Sequence, residues 1–146
     1  MEFKILLILH TLGACIWVGG HLILAITILP KALKLKDPEI ISTFESMFER
    51  IGIPSLIIQV VTGLRLAMIF MPMGDWFDFS NSISTLISIK IILLLLTVVL
   101  AIHARFFIIP NLDADKLPML GWHIAGVTII AVLMLLTGLN FRMGLF

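Results

Sequence analysis

The chain has no tyrosine, one cysteine among 146 residues, and charge on only 13% of its positions. The missing tyrosine removes a phenolic acid or a tyrosyl radical from any mechanism. The lone Cys15 cannot form an intrachain disulfide. Net charge is +1, so there is neither a basic face for nucleic acid nor an acidic tail, and no nucleic-acid partner is expected. No nucleophile triad, phosphate-binding loop or pair of carboxylates appears. Gly19-Gly20 and most other glycines fall inside apolar runs and read as packing sites. Hydrolytic and nucleotide-dependent chemistry are therefore poor candidates.

What the chain has is apolar surface. Hydrophobic residues make up 60%, with mean hydropathy +1.17. A soluble domain has about 45–50% apolar residues and about 25% charged ones. Lipid is the solvent this composition fits. A spanning helix needs roughly 20 apolar residues, and four segments qualify. They run from about Phe3 to Leu29, stopping at Pro30; Ile53 to Met71, stopping at Pro72; Ser84 to Ile109, stopping at Pro110; and Leu120 to Phe141. Backbone amides in lipid must pair within their own element, so these are helices. The first run is too long for the core of a secretory signal and has no small-residue cleavage site after it. The expected fold is an all-α membrane protein, one four-transmembrane-helix bundle over 1–146.

The linker between the first two spans carries its own signal. Asp37-Pro38 is a helix start. Ile40, Ile41, Phe44, Met47, Phe48 and Ile51 then recur at helical spacing, which predicts a short amphipathic helix on the membrane surface. The alternative is an N-terminal extension of the second span. Lys31, Lys34, Lys36, Arg50, Arg105 and Lys116 gather in the first and third connections; Lys4 and Arg142 lie near the ends. The positive-inside rule then puts both termini on the outer, periplasmic face of a bacterial-type inner membrane. A weak repeat is visible: Thr62-Gly63-Leu64 with Met68 echoes Thr137-Gly138-Leu139 with Met143.

Charged groups in mid-span cost about 2.5–3.5 kcal/mol on insertion scales, and histidine is uncommon there too. All four histidines of this chain, His10, His21, His103 and His123, fall inside spans. His10 and His21 share a helix face about 16 Å apart, with Gly13, Ala14, Trp17 and Gly20 beside them. Small residues there leave room for a flat cofactor or for a close helix. The spans alternate in direction, so two polar layers are expected. His21, His103 and His123 form an inner layer. His10, Arg65 and Lys90 form an outer one. Inward-facing histidines in a helical bundle are a means of holding haem. The inner layer suits a bis-histidine haem, His103 with His21 or His123. The outer layer suits a second haem on His10, with Arg65 or Lys90 at its propionates and Met68 or Met134 as a further ligand. Plain interhelical hydrogen bonding is the alternative for each histidine. Copper is the rival metal, through Met68, Met71 and Met73.

Leu9-His10 with Ile16-Trp17-Val18-Gly19-Gly20 resembles the first span of the copper-resistance protein D (CopD) superfamily. Lys90 through His103, Arg105 and Pro110 resembles a later segment of the same family. The order Thr43-Phe44, Glu49-Arg50, Pro54, Gly63-Leu64 and Lys90 is similar to HemJ-type protoporphyrinogen oxidases. That branch implies a haem b protein with His10 as ligand, Lys90 as the family lysine, and porphyrinogen oxidation with electrons passed to quinone. The copper branch implies copper movement into or across the membrane. His21 and His123 depart from the HemJ-type pattern and favour a dihaem electron-transfer relative. Three functions follow as expectations: a haem b redox protein with one or two haems and a quinone or small redox partner; a porphyrinogen-oxidising oxidoreductase; a copper transporter. Lipid-facing Phe and Ile could equally cover a homodimer surface.

Overall fold

A computed structural model describes residues 1–143, apart from the side chain of Arg142, so the expectation placed on Arg142 lies outside the described residues. The elements are α1 (Glu2–Ile23), α2 (Leu29–Leu35), α3 (Glu39–Phe70), α4 (Ser82–His103) and α5 (Leu117–Met143). Four continuous helical stretches, Glu2–Leu35, Glu39–Phe70, Ser82–Asn111 and Leu117–Phe141, are long and apolar enough to cross a membrane. No strand occurs among the described residues.

Two prolines expected to stop their spans do not. A five-residue π-helical turn, Leu24–Ile28, precedes Pro30, and the helix continues as α2. The matching turn, Ala104–Ile108, precedes Pro110, which then sits in a short 3₁₀ turn. Proline cannot donate to the ladder and its ring crowds the carbonyl four residues back. Widening by one residue ahead of the ring relieves that clash without ending the helix. The first stretch ends at Lys36, whose φ of 54° is left-handed. Asp37 N–H there reaches the Ala32 carbonyl and Lys36 N–H the Leu33 carbonyl, the Schellman arrangement. Asp37 Oδ1 immediately accepts from Glu39 N–H at 2.9 Å and starts α3.

The segment expected as a separate surface helix is helical but unbroken from the second span. It forms the first turns of the 32-residue α3, with Pro54 inside. The extension, not the independent surface helix, is what folds. Phe48 shows why, since its ring packs in the space Gly20 leaves on α1 and is held in the bundle.

The hairpins repeat at the level of backbone. α1 and α4 are both 22 residues long, each runs into a five-residue π turn, and each is followed by a proline. His10 and Lys90 hold the same, ninth, position in their helices. Helix α1 packs on α3, α4 on α5, and α1 on α5; among the described residues α3 and α4 make no comparable contact. The dry core lies at the end away from the termini, where Leu24, Leu29, Ala32, Ile41, Ile108, Leu117, Leu120 and Ile124 are buried on one another. The half nearer the termini is hollow.

Candidate functional site

The hollow half encloses a cavity of about 370 Å³, within the roughly 300–1,000 Å³ of small-molecule sites. Four helices line it: His10, Ala14 and Trp17 from α1, Gln59, Gly63 and Ala67 from α3, Lys90, Ile91 and Leu94 from α4, Met134 and Gly138 from α5. None of the lining residues is acidic.

His10 is fixed by α3. Its Nδ1 lies 3.1 Å from the Gln59 carbonyl and 3.0 Å from Thr62 Oγ1. Thr62 spends its own proton on the Ile58 carbonyl, so both groups can only accept from the imidazole. Nδ1 therefore carries the proton, and Nε2 keeps its lone pair. Gln59 Nε2 donates back to the His10 carbonyl at 3.0 Å. Each such bond between membrane helices contributes roughly 0.6–1.7 kcal/mol. A histidine whose Nδ1–H is committed to a carbonyl presents Nε2 in a defined direction, which is how metal-bound histidines are oriented.

Two glycines make room for the two polar side chains. A Cβ on Gly63 would come within 2.9 Å of His10 Cε1, and one on Gly138 within 3.3 Å of Lys90 Nζ. These belong to the two Thr-Gly-Leu repeats seen in the sequence. Lys90 Nζ sits 5.9 Å from the centroid of the Phe141 ring, and no carboxylate pairs with it among the described residues.

The other expected site residues fall elsewhere. Gly13 and Gly20 do not line the cavity; the Gln59 side chain fills the first and Phe48 the second. They serve the close helix rather than a flat cofactor. Arg65 points away and pairs with Glu2 at 2.7 Å, both about half exposed. His21 gives its Nδ1–H to the Trp17 carbonyl at 2.9 Å and lies against the Trp17 ring, with centroids 4.4 Å apart. His103 and His123 meet each other outside the cavity. His103 Nδ1 is 2.9 Å from His123 Nε2, and the rings stack within 8° of parallel. Since His123 Nδ1 bonds the Met119 carbonyl, its Nε2 accepts from His103. Metal–imidazole bonds are about 2 Å, so an iron between these nitrogens would need about 4 Å. The bonded pair leaves no room for one. The inner layer of three histidines does not assemble. Met68 and Met73 are exposed and Met71 caps α3, so none of the three reaches the cavity. Among the described residues no three of His, Cys, Asp and Glu converge on a metal-sized point.

Sequence reasoning missed Gln59, the chain's single glutamine. A lone amide in the middle of an apolar span was the available signal.

The profile of the family described as copper resistance protein D matches residues 43–140. The chain belongs to that family. The match opens inside α3 and takes in Lys90 and Gly138, leaving out the first span with His10. No curated protein and no solved structure matches the chain.

Proposed function

We propose that this member of the copper resistance protein D family is a haem b redox protein with one haem, held in the His10 cavity and exchanging electrons with quinone or a small partner. The observation that carries the reading is His10 itself, with Nδ1 committed to Gln59 and Nε2 left for a metal inside an apolar cavity that also holds Lys90, a cation with no carboxylate partner among the described residues. The donor set fits haem: His10 Nε2 and the Met134 thioether, both lining the cavity, would hold the iron, and Lys90 would pair with a propionate. Bound haem supplies one-electron exchange between ferric and ferrous iron. The chain's own residues do the rest. Gln59 and Thr62 hold the imidazole and fix its tautomer. Gly63 and Gly138 let the polar side chains lie flat against α3 and α5. The apolar walls keep water out. The whole chain acts as one bundle, with both termini on the outer face.

A second reading is favoured by the family's description and by Met134 lining the same cavity as His10: a nitrogen and a thioether, donor types that suit Cu(I). An absorption spectrum of the detergent-purified protein, before and after dithionite, separates the two. The haem reading expects a Soret band and sharp reduced α band at one haem per chain. A colourless protein that takes up Cu(I) overturns it.

A further inference from the structure

The walls of the cavity are not sealed alike. Between α1 and α3 the seam is closed by Phe48 against Gly20 and by the Gln59 side chain against Gly13. Between α1 and α5, Thr128 Oγ1 reaches the His21 carbonyl at 3.3 Å. Between α4 and α5, Leu100 packs against Gly126 and His103 bonds His123. The end near the termini is roofed by touching rings, Phe3 on Phe70 at 5.9 Å and Phe70 on Phe141 at 5.4 Å. Above α3 and α4 the connecting loop is pinned, because the buried Trp76 donates to the Met71 carbonyl and its own carbonyl accepts from Ser88. The opposite end is the dry core.

One seam differs. Helices α3 and α4 both line the cavity, yet among the described residues they make no packing contact comparable to that of the other helix pairs. At its floor the gap is bridged by Arg105 and Glu49 at 2.7 Å. On this side the cavity is lined by the apolar Val60 and Leu64 of α3 and Ile91 and Leu94 of α4, a frame that would face hydrocarbon in a chain whose four helices are long and apolar enough to cross a membrane. Behind it stands Lys90, an ammonium among non-acidic residues, placed to receive a negative charge.

We propose that the cavity loads sideways from the bilayer through the gap between α3 and α4, taking a planar amphipathic anion of the tetrapyrrole class whose apolar body passes Val60, Leu64, Ile91 and Leu94 and whose carboxylate stops at Lys90. The inference rests on the haem reading for the identity of the ligand and on the unsealed seam for the route. A hydrophobic dianion partitions into membrane before it meets protein. A door in the hydrocarbon layer, with a cation behind it, suits that order of events. The roofed end offers no comparable path from water.

The test uses the full chain in lipid nanodiscs with Cys15→Ala, Val60→Cys and Leu94→Cys, whose cysteines are joined across the gap by a bis-maleimide carrying a reducible disulfide. Uptake of protoporphyrin IX from donor vesicles is followed by its fluorescence before and after reduction. The proposal expects the bridge to slow uptake at least tenfold and reduction to restore it. Equal rates with and without the bridge overturn the route. Bridges that join two chains on a denaturing gel also overturn it, because the gap is then a face between copies. Protoporphyrin IX that fails to bind even the unbridged protein sinks the ligand, not the route. The route is then read separately in a Trp76→Phe, Trp122→Phe background, where mid-chain brominated lipids entering the cavity quench Trp17. Quenching relieved by the bridge supports the door; quenching indifferent to it removes the door.

Discussion

Replacing Gly63 by alanine tests the site without touching a ligand. The new Cβ would stand 2.9 Å from His10 Cε1 and 3.5 Å from Nδ1. Ordinary contact begins near 3.4 Å, so the ring must retreat by about 0.5 Å. Gly63, Gln59 and Thr62 all belong to α3, so a ring pushed off α3 also leaves its acceptors. Bonds of 3.1 and 3.0 Å are then stretched to the limit of useful length. Net hydrogen-bond contributions of about 0.5–1.5 kcal/mol each put the loss near 1–2 kcal/mol, about a 5- to 30-fold change. Alanine is at the same time the better helix former by about 1 kcal/mol, so thermal stability should hold while the ligand loosens. The assay is the rate at which haem passes to excess apomyoglobin, expected to rise 5- to 30-fold in Gly63→Ala. Gly19→Ala, with no neighbour within 4 Å of its would-be Cβ, is the control. Haem held as tightly by Gly63→Ala as by the parent would refute the placement of His10 against Gly63.

Lys90→Gln should weaken protoporphyrin IX binding about tenfold or more in a fluorescence titration, through loss of a charge-assisted bond, whereas Lys90→Arg should retain most of it. His103→Ala and His123→Ala should each leave the haem spectrum and stoichiometry as they were, lowering stability by about 1 kcal/mol for the one hydrogen bond lost with His103 and about 1–3 kcal/mol for the two lost with His123; a bleached Soret band in either would restore the inner site. Gly20→Ala should lower the melting temperature in detergent, because a Cβ there overlaps the Phe48 ring and overpacking costs about 1–3 kcal/mol, while the folded fraction keeps its spectrum.

Much of the fold was legible because lipid imposes it. Four apolar runs of spanning length could be little else, and Pro72 does end its helix. Pro30 and Pro110 misled because a proline reads as a stop, whereas a π turn just before it lets the chain continue. The amphipathic pattern from Ile40 to Ile51 was real, but Ile40, Ile41, Phe44 and Phe48 turn to the bundle while Met47 and Ile51 stay exposed. Pattern alone does not separate a membrane surface from a neighbouring helix.

The candidate site was legible in depth and not in direction. His10 and Lys90 line one cavity, at the common height that residue count along a helix gives. Arg65, counted into the same layer, turns outward to Glu2. His103 and His123 share a height and spend their nitrogens on each other. The reason is physical. α4 and α5 carry exposed apolar residues as well as buried ones, so hydrophobicity alone does not announce which side chains point inward. Only the partners across the bundle decide it, and Gln59, Thr62 and Gly63 become partners of His10 only once α3 is laid against α1.

The claim beneath all of this is that the Nε2 of one imidazole grips iron in the hollow half of the bundle. His10→Gly protein, purified with haem supplied during expression, tests it most directly when its reduced spectrum is recorded before and after adding free imidazole. The account predicts a lost or shifted α band that returns with imidazole. Parental bands in His10→Gly without imidazole, at full haem content, would contradict it.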